Sequence, residues 1–170
     1  MKKYTLFTII IALLFTSSCQ KDDICPEATQ TTPKLVIEFF DIENPELSKS
    51  VSNLNVIAEG QTDYYFETTE DLSTITIPLN TAQDFTNYTF VRNYDVDEDS
   101  PLVTNEDQIQ FSYAVNLEYV NRACSYKAEF LNFNAVLIIE TDEVNWIKAI
   151  EVLQPNEILD EEDTHLYIYH

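Results

Sequence analysis

Phe111-Ser112-Tyr113-Ala114-Val115-Asn116-Leu117-Glu118-Tyr119 carries a large apolar residue at every odd position and a small or polar one at every even position. A period of two belongs to a β-strand with one face buried and the other in water. The following segment repeats it: Cys124, Tyr126, Ala128 and Phe130 share one face, with Ser125, Lys127 and Glu129 opposite. Asn132 to Asn134 reads as a turn, and Ala135 to Glu140 as another strand.

Outward from this stretch the same texture continues. Leu35 to Phe40, Val51 to Ala58, Thr74 to Ile77 and Phe85 to Val91 read as strands before it, and Trp146 to Leu153 and His165 to Tyr169 after it. No segment sustains a 3.6-residue stripe over several turns. About nine short strands joined by Asn- and Asp-rich loops predict an all-β fold. The expected architecture is an antiparallel β-sandwich of immunoglobulin or prealbumin type over residues 33–170. Only one glycine, Gly60, serves the whole chain, so Asn and Asp are expected where φ must be positive.

Thirty acidic residues face nine basic ones, a net charge of −21. Such a surface repels phosphate backbones and excludes nucleic acid as a partner. It repels anionic headgroups as well, so any membrane attachment has to come from a lipid. A single glycine cannot build a Walker loop or a dinucleotide fingerprint, which excludes nucleotide binding by those motifs.

The first residues have a different character. Met1-Lys2-Lys3 is a positive start, Leu6 to Phe15 an apolar run, and Thr16-Ser17-Ser18 a small-residue exit before Cys19. That is the pattern of a signal peptide over residues 1–18, too short in its apolar part to span a bilayer. Ser17-Ser18-Cys19 resembles the lipobox of bacterial lipoproteins, with Thr16 where Leu is usual. The resemblance implies lipidation of Cys19, and two or three acyl chains anchor stably. Cys19-Gln20-Lys21-Asp22-Asp23 resembles the flavobacterial lipoprotein export signal. This implies that Gln20, Lys21, Asp22 and Asp23 direct the chain to the outer membrane, facing the exterior. Residues 19–32 then form an acidic tether.

Four further stretches resemble a family of small flavobacterial lipoproteins whose domain has no assigned function. They are Lys21-Asp22-Asp23-Ile24-Cys25-Pro26, Thr32-Pro33-Lys34-Leu35-Val36-Ile37, Val51-Ser52-Asn53-Leu54 and Arg122-Ala123-Cys124-Ser125-Tyr126-Lys127. The resemblance spans most of the chain and transfers no catalytic or binding residue.

With Cys19 taken by lipid, Cys25 and Cys124 remain as a pair in an oxidising compartment, and a disulfide is expected. The competing reading, a metal site, falls short of the four ligands zinc requires.

Asp95, Asp97, Asp99 and Glu106 stand at positions one, three, five and twelve of an EF-hand spacing, which would suit Ca²⁺. Ser100 occupies the position that needs glycine, Pro101 follows it, and the flanks read as strands. A solvated acidic loop is the better reading, and no other cofactor is indicated. Asp160-Glu161-Glu162-Asp163 is likewise a solvated run.

His165 and His170 are the only histidines, and their odd spacing puts them on opposite faces of a strand. Neither a shared metal nor a Ser-His-Asp arrangement is supported, so no catalysis is expected. Tyr64 and Tyr65 lie near Gly60, and consecutive strand residues cannot both point inward, so one ring is available to stack on a sugar. The sequence favours a lipid-anchored structural or interaction module of the cell envelope with an unidentified envelope protein or glycan as partner. A Ca²⁺- or glycan-binding module is the alternative.

Overall fold

The computed structural model describes residues 24–66, 70–94, 100–139 and 145–170. Its strands are β1 (Leu35–Phe40), β2 (Val51–Ala58), β3 (Glu70–Leu72), β4 (Thr74–Ile77), β5 (Phe85–Arg92), β6 (Asn105–Asn121), β7 (Ser125–Ile138), β8 (Ala149–Val152) and β9 (Leu166–Tyr169). No helix occurs among the described residues. The strands form two sheets, in the orders β4-β1-β9-β8 and β3-β2-β5-β6-β7. The fold is a β-sandwich. One pairing departs from the expected antiparallel pattern: β1 and β9 run parallel, with Ile37 opposite Leu166 and Phe39 opposite Ile168.

The period-two residues build the core. Leu35, Ile37 and Phe39 of β1, Ile75 and Ile77 of β4, and Leu166 and Ile168 of β9 face Phe90, Ile109, Phe111 and Phe130 of the other sheet, all buried. Packing of rings dominates there, with Phe111 stacked on Phe133 at 5.7 Å and Tyr113 edge-on to Phe130 at 4.9 Å.

In two places the core residues are three apart, Val51 to Leu54 and Phe130 to Phe133, and each contains an asparagine with positive φ. Asn53 (φ 43°) and Asn132 (φ 53°) sit where the register shifts by one residue. An extra residue in one strand restores the inward direction of the next apolar side chain. The turn expected at Asn132 to Asn134 is therefore a bulge, and the two strands expected around it are the single strand β7. β3 was not foreseen: it is three residues long and almost wholly polar.

The free edge of β7 is covered. Phe130 and Ile158 exchange backbone bonds, and the Ala128 N–H donates to Thr32 Oγ1 at 2.9 Å. Gln30 receives a bond from Lys127 Nζ and donates to the Leu159 carbonyl. The expected tether is thus fixed to the sandwich from Cys25 onward. Covering an edge strand removes a template for unwanted pairing.

Candidate functional site

Beyond Ala58 the chain turns at Gly60, whose φ of 79° suits glycine, and residues 63–66 run back beside β2. Asn55 fixes this return. Its buried amide accepts from Phe66 N–H at 3.2 Å and donates to the Phe66 carbonyl at 3.1 Å, standing in for a strand neighbour. The Tyr65 N–H donates to the Val56 carbonyl.

The opposite wall is the loop from Pro78 to Asp84. Tyr88 Oη donates to the Pro78 carbonyl at 2.8 Å, and Tyr113 Oη donates to the Asn80 carbonyl at 2.9 Å. Thr86 Oγ1 bonds the Tyr113 hydroxyl and accepts from Asn80 N–H. Burial, then the neighbouring Tyr65 and Tyr113, pushes the Tyr88 phenol up to about 12. Burial also raises Tyr113, against its bonds to Thr86 and Asn80. Both hydroxyls therefore stay protonated as structural donors.

Between the walls lies a cleft of about 500 Å³. Tyr65 and Phe85, each more than a third exposed, present ring surface to it. Glu59, Asp63, Asn80 and Gln83 supply carboxylates and amides around them, and Asn87 Nδ2 donates to Glu59. The cleft lies toward the end of the sheet from which β6 and β7 overhang, since Phe85 at the start of β5 already pairs with Ser112.

Tyr64 and Tyr65 both line the cleft, with different surroundings. Tyr64 packs on Tyr94 with centroids 4.3 Å apart, and burial, then Glu106, raises its pKa. Tyr65 is the more exposed of the pair. Phe85, Asn80 and Gln83 were not singled out from sequence. Their loop lies about twenty residues from Tyr65, and only Pro78 with its polar run hinted at a turn.

Residues 53–170 match the model of a family of unknown function, DUF6452. The chain belongs to DUF6452. The match begins within β2, whereas β1 ahead of it fills the middle of the four-stranded sheet. The folded unit is thus longer than the matched DUF6452 segment. No curated protein and no solved structure matches this DUF6452 chain.

Cys19, Gln20, Lys21, Asp22 and Asp23 lie outside the described residues, as do Asp95, Asp97 and Asp99. Glu106 belongs to β6, exposed and opposite Val91, so the twelfth position of the EF-hand spacing is a strand residue. Among the described residues no three His, Cys, Asp or Glu side chains are grouped to hold a metal ion.

Cys25 and Cys124 form the disulfide, with Cα atoms 4.8 Å apart. Cys124 sits in the turn between β6 and β7 and is half-buried, so the bridge lies at the hairpin tip and not in the core. His165 and His170 are apart at the two ends of β9, bonded to the backbone of Val36 and Lys49 respectively.

Sequence reasoning also missed Asp107. This buried carboxylate accepts from Asn145 Nδ2 at 2.9 Å and from Ile147 N–H at 2.7 Å. It closes the end of the sandwich opposite the cleft. Trp146 lies there between the sheets, its Nε1–H on the Phe90 carbonyl and the Arg92 guanidinium 5.8 Å from its ring.

Proposed function

We propose that this chain is a lipoprotein anchored through Cys19 in the outer membrane, facing the exterior, and that its domain acts by binding a glycan and not by catalysis. The leader, the resemblance of Ser17-Ser18-Cys19 to a lipobox and the acidic residues after it support the address. A disulfide is at home in an oxidising compartment, which fits export.

One observation carries the binding reading: the exposed rings of Tyr65 and Phe85 share a cleft with Glu59, Asp63, Asn80 and Gln83. Sugar rings stack their apolar C–H faces on aromatic side chains, while amides and carboxylates take up their hydroxyls. A cleft of about 500 Å³ accommodates a unit of one to three sugars.

Screening the acylated protein on an oligosaccharide array tests this, with Tyr65→Ala and Phe85→Ala alongside. The expected result is retention of one class of glycan that both substitutions abolish while the melting temperature holds. A second reading, a structural or protein-interaction module, is favoured by Val136 and Ile138, exposed together on the outer face of β7. An empty array together with an envelope protein crosslinked at Val136 would replace the glycan reading with that one.

A further inference from the structure

The two longest strands are neighbours, β6 with 17 residues and β7 with 14, whereas β1, β4, β8 and β9 opposite them have six or fewer. The hairpin therefore outruns the sheet that covers its inner face. Val115 and Phe130 are the last opposed pair with a core contact on both strands. Past them Leu117, Tyr119 and Tyr126 keep the inward direction but are 62%, 57% and 59% exposed. Tyr119 and Tyr126 are directly opposed, with ring centroids 5.3 Å apart.

The other face of the overhang is polar and internally matched. Lys127 Nζ lies 3.0 Å from both Glu118 and Glu129, and Asn116 Nδ2 donates to Glu129. These bonds, Glu129 first, raise the Lys127 pKa, and the Lys127 bond lowers that of Glu129. The overhang is thus amphipathic: Ala128 is still buried on its inner face, while Leu117 opposite it and Tyr119 and Tyr126 beyond it present apolar and aromatic surface to solvent.

Its position bears on what would lie against it. Cys124 in the hairpin turn is bonded to Cys25, and Ile24, 81% exposed, directly precedes that bridge. Five residues separate Cys25 from Cys19, a reach of at most about 22 Å even when fully extended. An acyl group on Cys19 would thus hold the tip within that distance of the hydrocarbon. Tyrosine suits such a place, because its ring favours the apolar boundary and its hydroxyl the headgroups.

We propose that the overhanging end of the β6–β7 hairpin, through Ile24, Leu117, Tyr119 and Tyr126, rests in the headgroup layer of the membrane that holds Cys19. The domain then stands on the bilayer in one orientation instead of swinging on its leader-proximal segment. This rests on the lipid attachment proposed above, and the test separates the two.

Acylated full-length mature protein is placed in phosphatidylethanolamine–phosphatidylglycerol vesicles containing brominated lipid. Mass analysis of the same sample reports the lipid on Cys19. Tyr119→Trp reads the tip, and Val103→Trp reads the opposite end of β6; the wild type, with Trp146 alone, sets the background. The expected result is emission from Tyr119→Trp quenched several-fold more than from Val103→Trp, with the difference lost on adding Leu117→Ser and Tyr126→Ser.

Equal quenching at both ends with Cys19 acylated would overturn the membrane contact and leave the anchor standing. A bare Cys19 would overturn both. Concentration-dependent dimers crosslinked through Tyr119→Cys, without quenching, would assign the face to a second copy of the chain and overturn the proposal.

Discussion

Val36 donates its backbone N–H to Nδ1 of His165 at 3.1 Å, in the buried seam where β1 meets β9. A ring nitrogen that accepts carries no proton, so His165 is neutral in the folded protein. Burial holds its pKa below the ordinary value, against the opposing pull of Asp160, Asp163 and Glu161. His170 is lowered by burial too.

Stability is therefore expected to fall in mild acid. Above about pH 6.5 both folded and unfolded states hold neutral imidazoles and nothing changes. Below it the unfolded chain takes up protons that the folded one refuses, and stability declines until the lowered folded pKa is passed. Urea midpoints measured from pH 7.5 to 5 should drop. His165→Asn, whose Oδ1 can accept from Val36, should make the decline shallower without abolishing it, since His170 still titrates. An unchanged slope in that variant would remove His165 as a cause.

Reduction of the Cys25–Cys124 bridge, which joins residues 99 apart, should weaken the fold. The chain-entropy estimate for a loop of that length is up to about 4–5 kcal/mol. Urea midpoints with and without a phosphine reductant, and for Cys124→Ser, provide the check. Coincident curves would show that the bridge adds nothing.

Asp107→Ala should cost about 1–3 kcal/mol, because the buried Ile147 N–H loses its acceptor. Denaturant melts followed by Trp146 fluorescence are suited to this, since that ring is the neighbour of Ile147 in sequence. A change below about 0.5 kcal/mol, half of the expected floor, would mean the N–H finds another partner.

Gly60→Ala should destabilise by about 1 kcal/mol, although nothing lies within 4 Å of the added Cβ. The penalty comes from φ of 79° alone. Gly60→Asn should cost clearly less, as asparagine tolerates that region. Thermal melts of the two variants settle the order, and equal loss would place the cause elsewhere.

The strands were legible because Leu35, Ile37 and Phe39, or Ile109, Phe111 and Tyr113, keep strict alternation in a fold with one dry side. The same alternation misleads at Leu117 and Tyr119, which carry the core pattern past the point where the facing sheet stops. Asn132 looked like a turn because a bulge and a turn both need positive φ, and only the register of β6 against β7 tells them apart. The positive-φ positions at Asn53, Asn93 and Asn132 follow the expectation for a chain with one glycine. Ser125 (φ 64°) does not, and no local signal marked it. Of the cleft, Tyr64 and Tyr65 were legible as neighbours that cannot both face inward. Phe85 at the start of β5 and Asn80 in the loop before it were not, because only the closing of β2 on β5 brings them across.

The place of β9 between β1 and β8 has a consequence for the birth of the molecule. Until β9 is synthesised, β1 lacks its parallel neighbour and β8 has no partner in its sheet, so half of the sandwich cannot close. A nascent polypeptide in that state keeps its four-stranded sheet open to solvent and protease, and the sandwich completes itself only once β9 is in place.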